Sequence, residues 1–313
     1  MFRKAIQWLS LLGSNAWLPG FWQGRIYSGK LKSVCVPGLN CYSCPGAVGS
    51  CPLGALQAVL GSWKYNFSYY VIGLVGLLGL LFGRFICGFL CPFGLIQELI
   101  NKIPLGKASR LRADPQKTWR WPLGTRYVLL AVFVVALPLL ATNAAGIASP
   151  AFCKYICPVG TLTAGLPLMA ANPPFREAAG RLFLLKLGIS VGVVLACLFI
   201  HRFFCRYLCP LGALYGFFNG VSLYRLRLNR SNCVNCGACS KACPMAVDPS
   251  RTPHSPDCIL CGKCVKSCHF SALDAGFFDR SEKSKTQKSP NNGPLLEASD
   301  GKTLTKTIGR NSL

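Results

Sequence analysis

The sequence predicts an α-helical integral membrane protein with about four transmembrane helices, followed by a small C-terminal α+β domain rich in cysteine. Hydrophobic residues make up 51% of its 313 residues and charged residues only 14%, a balance that suits a bilayer better than water. Its 19 cysteines recur at short spacings, many of them before proline, unlike those of a short disulfide-linked scaffold. We therefore expect a membrane domain at 1–230, a soluble domain at 231–278 and a polar, disordered tail at 279–313.

Three apolar stretches, at 67–83, 127–147 and 182–200, have the length and composition of transmembrane helices. The single charge in the third is Lys186, which lies near enough to one end to extend toward the interface. A fourth stretch, at 5–22, is interrupted by polar residues and proline. We interpret it as a further span, with a signal peptide or an interfacial helix as the alternatives.

The net charge of +24 would suggest nucleic acid as a partner in a soluble protein, but its distribution favours membrane lipid. Up to Arg230, 23 basic residues accompany only three acidic ones, and the basic residues cluster beside the apolar stretches. With four spans the bias in basic charge places both termini in the cytoplasm of a multi-pass protein of the cell inner membrane. No motif for base stacking or groove recognition accompanies the charge, so we expect no nucleic acid to bind.

Two cysteine runs in the soluble domain have the spacing C-x2-C-x2-C-x3-C, which is typical of bacterial ferredoxins with two [4Fe-4S] clusters. In that arrangement three cysteines of one run and the fourth of the other hold each cluster. The predicted ligands of the first cluster are Cys233, Cys236, Cys239 and Cys268. Those of the second are Cys243, Cys258, Cys261 and Cys264. Zinc knuckles, the alternative, would have two CxxC pairs instead.

A different motif occurs four times, as GSCPLGAL at 49–56, FICGFLCPFGL at 85–95, AFCKYICPVGTL at 151–162 and FFCRYLCPLGAL at 203–214. Three copies contain C-x3-C-P, a spacing that places two thiolates one helical turn apart on one face. Each such pair can bind two irons of a cubane, so a complete site needs two pairs. The first copy has Cys51 before its proline, with Cys41 and Cys44 upstream.

Alternation of the motifs with four spans predicts how these pairs combine. The second and fourth copies would form a third cluster at the inner membrane surface, from Cys87, Cys91, Cys205 and Cys209. On the outer side, Cys153 and Cys157 would join two of Cys41, Cys44 and Cys51 in a fourth cluster, with disulfides in an oxidising compartment as the alternative. About 30 Å of bilayer would separate the two sites, so quinone or a partner subunit would have to carry electrons between them.

Three features carry a resemblance to a known family. They are the segment VPGLNCYSCPGAVGSCPLGAL, the C-x3-C-P motifs at 87–92 and 205–210, and the doubled ferredoxin motif. In these features the sequence resembles the NapH/MauN family of membrane polyferredoxins, and more distantly NosR and CcoG. The resemblance covers nearly the whole chain to residue 278. It implies a four-helix membrane protein that passes electrons between the quinone pool and redox partners, often on the outer face.

We therefore expect a membrane-bound iron–sulfur electron-transfer subunit that links the quinone pool or a cytoplasmic donor to a redox partner protein, including an outer-side oxidoreductase. Such a chain is a quinol dehydrogenase-like component of an oxidoreductase, and no catalytic residue is assigned. An assembly or maturation reductase, or a redox-sensing regulator of a respiratory oxidoreductase, is the alternative. Glu98 and His201 are candidates to accept quinol protons, although an exposed, solvated Glu98 is favoured. Cys197 is interpreted as a buried apolar residue of its helix.

Overall fold

The computed structural model describes residues 2–63, 65, 68–103, 121–143, 147–177 and 179–277. They belong to one compact unit and are mostly helical. The predicted tail at 279–313 lies outside the described residues.

The described residues of the first half form six α-helices. They are α1 (Phe2–Ser14), α2 (Pro19–Gln23), α3 (Pro52–Gly61), α4 (Tyr69–Phe82), α5 (Phe85–Phe89) and α6 (Pro92–Lys102). Proline opens three of them, where its missing N–H and fixed φ cost nothing. The predicted span at 5–22 is wrong as one helix, because α1 ends at Ser14 and the Asn15 side chain bonds back to the Leu11 carbonyl (3.1 Å).

The second half repeats this plan, with seven helices in the part from Thr125 to Phe218 that the structure describes. They are α7 (Thr125–Leu140), α8 (Ala151–Tyr155), α9 (Pro158–Ala171), α10 (Pro173–Glu177), α11 (Arg181–Phe199), α12 (Phe203–Tyr207) and α13 (Pro210–Phe218). Both α7 and α9 widen into π-helical turns just before an internal proline, Pro138 or Pro167. Proline removes an intrahelical hydrogen bond, and the wider turn accommodates its ring.

Each half contains a helical hairpin with a cysteine–proline motif at either end. In the first half α3 runs away from Cys51 and α4 returns, with Val59 of α3 packed beside Val71 of α4. In the second half α9 and α11 pack in the same way, and a Cβ on Gly165 would lie 3.4 Å from the Phe183 ring. The sequence-based topology, which assigned a single helix between successive motifs, missed the helix that follows each first motif. Successive motifs therefore lie toward the same end of a hairpin.

Among the described residues one helix, α11, is long and apolar enough to cross a membrane. Four more apolar helices, α3, α4, α7 and α9, have between 10 and 17 residues each. The expectation of four full spans is therefore not confirmed.

The cysteine-dense C-terminal part contains two short strands and two short helices. They are β1 (Arg225–Leu228), α14 (Ala238–Ala242), α15 (Lys263–Lys266) and β2 (Leu273–Gly276). The strands pair antiparallel in a register that runs from Arg225 opposite Gly276 to Leu228 opposite Leu273. Because β1 precedes residue 231 and pairs with β2, we refer to residues 225–277 as the C-terminal unit.

The C-terminal unit packs directly onto the second and fourth cysteine–proline motifs. The side chain of Asn219 accepts the N–H of Arg84 (2.8 Å) and donates to the carbonyl of Cys258 (2.8 Å). The Arg84 guanidinium donates to the carbonyl of Pro256 (2.7 Å). A Cβ at Gly88 would overlap the carbonyl oxygen of Ile259, so only glycine allows this close approach.

Gly88→Ala should therefore loosen the C-terminal unit from the rest of the protein. Relief of the overlap by backbone movement should cost about 1–3 kcal/mol of stability. Thermal unfolding in detergent and limited proteolysis between residues 219 and 231 measure the effect. Gly73→Ala is the matched control, since nothing lies within 4 Å of its added Cβ. Equal melting and equal protease sensitivity of the two variants would contradict a close approach of Ile259 to Gly88.

Candidate iron–sulfur sites

The eight cysteines of the C-terminal unit divide into the two predicted sets. One cavity is lined by the set Cys233, Cys236, Cys239 and Cys268. A second cavity is lined by the set Cys243, Cys258, Cys261 and Cys264. The structure thus brings the fourth cysteine of each run beside the first three of the other.

The two runs also share a backbone conformation. Left-handed φ values occur at equivalent positions, at Gly237 (+72°) and Gly262 (+73°), and likewise at Asn235 (+53°) and Leu260 (+51°). Alternation of left- and right-handed residues turns successive N–H groups toward one side, which makes a concave surface suited to an anion. Each cysteine loop therefore presents backbone donors to whatever its thiolates bind.

Cys87, Cys91, Cys205 and Cys209 form the set that we call the inner site. The first pair flanks the end of α5 and the second pair the end of α12, and all four side chains are buried. Burial and the neighbouring thiol of Cys91 raise the pKa of Cys205 to about 11. Gly212 N–H donates to the Cys209 sulfur (3.3 Å). Four thiols thus converge, as predicted from the spacing of the two motifs.

Two buried arginines hold the halves of the inner site together by a reciprocal exchange. Each stands three residues before the first cysteine of its motif and is 0% exposed. Arg84 Nη2 donates to the carbonyl of Cys205 (3.1 Å), and Arg202 Nη1 donates to the carbonyl of Cys87 (2.6 Å). Although burial raises the pKa of the Cys87 thiol, both guanidiniums act to lower it.

Glu98 is buried beside this site, so its expected exposure on a solvated face is wrong. Its carboxylate is 3% exposed and lies 2.8 Å from Arg202 Nη2 and 2.7 Å from Arg3 Nη1. Burial alone would raise the pKa of Glu98, but Arg202 and Arg3 outweigh it and lower the pKa to about 2. Burial and Arg202 lower the pKa of His201 to about 4. Glu98 is therefore an ion-pair partner near neutral pH and a poor proton acceptor.

Cys41, Cys51, Cys153 and Cys157 form the outer site. They line a cavity of about 660 Å³ together with Lys32 and Lys186. Burial raises the pKa of Cys41 to about 11, and the ammonium of Lys186 acts against this rise. Lys186 therefore faces the outer site instead of extending toward an interface. Cys44 does not line this cavity, and its thiol donates to Asn15 Oδ1 (3.7 Å), so we group Cys41 and Cys51 of the three upstream cysteines with this set.

The inner and outer sites are close neighbours. The segment 38–40 touches both sites. A Cβ at Gly38 would lie 2.7 Å from Cys91 Cα, and the next two residues, Leu39 and Asn40, line the outer cavity with Cys51. Burial, Cys87 and Cys51 raise the pKa of Tyr215, which lies between the sites. The predicted separation by a whole bilayer is therefore wrong, because the hairpins return successive motifs to the same end.

Besides Cys44, two cysteines lie outside these sets, and both have structural contacts. Cys35 is buried beside Val59 and contacts the Ser50 hydroxyl (3.4 Å). Cys197 is 0% exposed, as expected of a helix filler, and its thiol lies 3.6 Å from Gln97 Oε1. All 19 thiols are free.

Among the described residues, no three Cys, His, Asp or Glu side chains are grouped so that they could hold a single metal ion. Each thiolate of a cubane cluster binds a different iron, so the four sulfurs surround the cluster and do not meet at one point.

Comparison with known proteins agrees with this chemistry. A 4Fe-4S binding domain matches residues 70–111, 123–168 and 182–231, and another 4Fe-4S binding domain matches 226–247. Over 204 residues the chain is 32% identical to the methylamine utilization ferredoxin-type protein MauN of Paracoccus denitrificans, covering 64% of this chain and 62% of MauN. The chain belongs to the NapH/MauN-type polyferredoxin family.

Two further relatives extend the family relationship. The chain is 30% identical over 174 residues to the putative electron transport protein YccM of Escherichia coli, which is 54% of this chain and 44% of YccM. It is 30% identical over 171 residues to the regulatory protein NosR of Pseudomonas aeruginosa, which is 52% of this chain and 21% of NosR. The chain spans about half the length of the curated relatives it matches. No solved structure shows a significant match.

The donors at both cysteine–proline sites fit an iron–sulfur cluster of this family. Thiolates are the required ligands, and a cluster with four of them carries negative charge. At the inner site Arg84 and Arg126 share one carboxylate, Asp257, at 3.9 and 2.6 Å, which leaves buried positive charge beside the thiols. At the outer site Lys32 and Lys186 supply the positive charge.

The choice of Cys41 over Cys44 allows a direct test of the outer site. Cys41→Ala should lower the iron content of anaerobically purified protein by about four atoms per chain, because a cubane with three cysteine ligands is lost. Cys44→Ala is the matched control from the same CxxC pair and should keep its iron. Iron and acid-labile sulfide analysis measures both. Equal iron content in the two variants would exclude Cys41 as the fourth ligand of the outer site.

Proposed function

We propose that this polyferredoxin is a membrane-bound electron-transfer protein in which four [4Fe-4S] clusters form a single line. The observation that supports it most is the close packing of the segments that carry the outer site, the inner site and the Cys243 set. From one end the order is the outer site, the inner site, the Cys243 set and the Cys233 set. Electron transfer slows steeply with distance, so short gaps between successive centres are what such a protein needs.

The step from the inner site to the C-terminal unit rests on direct packing. Gly88 lies between Cys87 and Cys91, and Ile259 lies between Cys258 and Cys261, so these glycine and isoleucine backbones bring the two cysteine sets together. The guanidinium of Arg206, which follows Cys205, acts to lower the pKa of Cys243, although burial raises it. Both contacts fit electron exchange between the inner cluster and the Cys243 cluster.

We place α11 across the inner membrane and the C-terminal unit in the cytoplasm. Several large apolar side chains of α11 are exposed, among them Leu184 (64%) and Leu195 (53%), as lipid contact requires. Basic residues follow the C-terminal end of α11, at Arg202, Arg206, Arg225, Arg227 and Arg230, which supports a cytoplasmic position by the positive-inside rule.

At the two ends of the line we place different partners. A soluble donor or acceptor reaches the Cys233 set, whose Cys236 is exposed. Quinone or a redox partner protein exchanges electrons at the outer site, whose cavity includes Lys186 near the N-terminal end of α11. With neighbouring sites in contact, quinone need not carry electrons between the clusters and serves only as a terminal partner.

Cys91→Ala and Cys209→Ala should each delete the same cluster signal in electron paramagnetic resonance spectra of the full-length protein. The reason is that each removes one of the four ligands of one cluster. The C-terminal clusters should remain. After rapid mixing with a reduced soluble ferredoxin, the outer cluster should be reduced at least tenfold more slowly than in the unsubstituted protein.

Cys35→Ala serves as the control, because Cys35 is buried but belongs to no set. It should keep all signals and the unsubstituted rate. Loss of different signals in the two inner-site variants would contradict a shared cluster. An unchanged rate of outer-cluster reduction would contradict the linear order.

A further inference from the structure

We propose that Gln57 and Gln97 are positioning residues that each hydrogen-bond one cysteine ligand and thereby set the reduction potentials of the outer and inner clusters. The inference rests on the proposed clusters and adds residues that the cysteine motifs do not include. Each glutamine is the sixth residue after the cysteine of a Cys-Pro pair, Cys51 or Cys91. Both are 0% exposed.

At the inner site the Gln97 side chain reaches from α6 of the first half to α12 of the second half, which contains Cys205. Its Nε2 donates to the sulfur of Cys205 (3.0 Å). Its Oε1 accepts the backbone N–H of Phe204 (3.1 Å) and of Cys205 (3.4 Å). The amide therefore joins the two halves and contacts a ligand sulfur at the same time.

The outer site repeats this geometry with different residues. Gln57 of α3 donates from Nε2 to the sulfur of Cys153 (3.3 Å). Its Oε1 accepts the backbone N–H of Phe152 (2.9 Å). In both sites a first-half glutamine thus binds the N–H of the residue before a second-half cysteine and donates to the sulfur of that cysteine. The repetition at two sites makes a chance contact a poor explanation.

The amide orientation follows from its partners. A backbone N–H can only donate, so the atom that accepts from Phe152 or Phe204 must be the carbonyl oxygen. The remaining NH₂ group then faces the sulfur, together with a helix carbonyl, Leu53 O for Gln57 and Phe93 O for Gln97. Both glutamines are therefore donors to sulfur and not acceptors.

A donor at a ligand sulfur changes the redox equilibrium in one direction. Reduction adds one electron to the cluster, with no bond formed and no proton transferred, and the added negative charge spreads onto the sulfurs. A hydrogen bond to sulfur stabilises that reduced state more than the oxidised state, so it raises the potential. Removal of the donor should lower the potential of that cluster alone.

The test is a redox titration of the full-length protein followed by electron paramagnetic resonance. Gln57→Leu should lower the midpoint potential of the outer cluster by at least about 59 mV, a tenfold change in the ratio of oxidised to reduced cluster for a one-electron couple. Gln97→Leu should do the same to the inner cluster. Each variant should leave the other cluster unchanged, so the two act as controls for each other.

Asn101→Leu is an additional control on the same helix as Gln97. It removes a buried amide that donates to the Cys197 carbonyl (2.9 Å), and it should shift neither potential. A general effect of lost packing would shift the potential in this variant as well. Resonance Raman spectra should show a change in Fe–S stretching only in the two glutamine variants, because sulfur loses a donor only there.

Unchanged potentials in both glutamine variants, with all clusters present, would overturn the inference and leave the proposed function intact. Absence of cluster signals from the unsubstituted protein would instead overturn the proposed function itself. Equal shifts in the glutamine and Asn101 variants would also overturn the inference, because they would show a packing effect.

Discussion

The structure depends on the reciprocal exchange in which Arg84 and Arg202 each bind the backbone of the opposite half. Burial of a guanidinium carries a desolvation penalty of several kcal/mol, which only excellent hydrogen bonding and charge pairing can offset. Arg202 is neutralised by Glu98, and Glu98 also holds Arg3 of α1. The Arg84 guanidinium also donates a hydrogen bond to the carbonyl of Pro256 in the C-terminal unit. The same pair of side chains therefore unites both halves, the first helix and the C-terminal unit around one set of thiols.

The glycines beside these arginines follow from the same constraint. A Cβ at Gly212 would lie 3.0 Å from Arg84 Nη2, and one at Gly94 would lie 3.3 Å from the Arg202 guanidinium. Both glycines stand three residues after the second cysteine of their motif. The motif C-P-x-G therefore combines a helix start at proline with a gap that admits the arginine of the other half. The repeated C-P-x-G sequence thus accounts for the repeated arginine–glycine packing at the inner site.

Spacing within each motif is a local property, so the sequence alone could suggest which cysteines to group. The structure brings together the four thiols of the inner site and the cysteines of each C-terminal set. The hairpins were missed because α3, with ten residues, is apolar on nearly every face and shows no helical periodicity, although Pro52 after Cys51 is a helix-start signal. The choice between Cys41 and Cys44, and the partners of Glu98, depend on residues far away in the chain, and no local pattern encodes such contacts.

The two halves share a plan but use one position of it differently. Where the first-half motifs have Gln57 and Gln97, the second-half motifs have Thr163 and Tyr215. The Tyr215 hydroxyl donates to the carbonyl of Pro37 (3.1 Å), and Pro37 begins the segment whose next residues contact both sites. A glutamine at 215 would be too short to reach across and hold that segment. Symmetry therefore builds two similar sites, and the departure from symmetry at residue 215 supplies a hydrogen bond to the segment that lies between them.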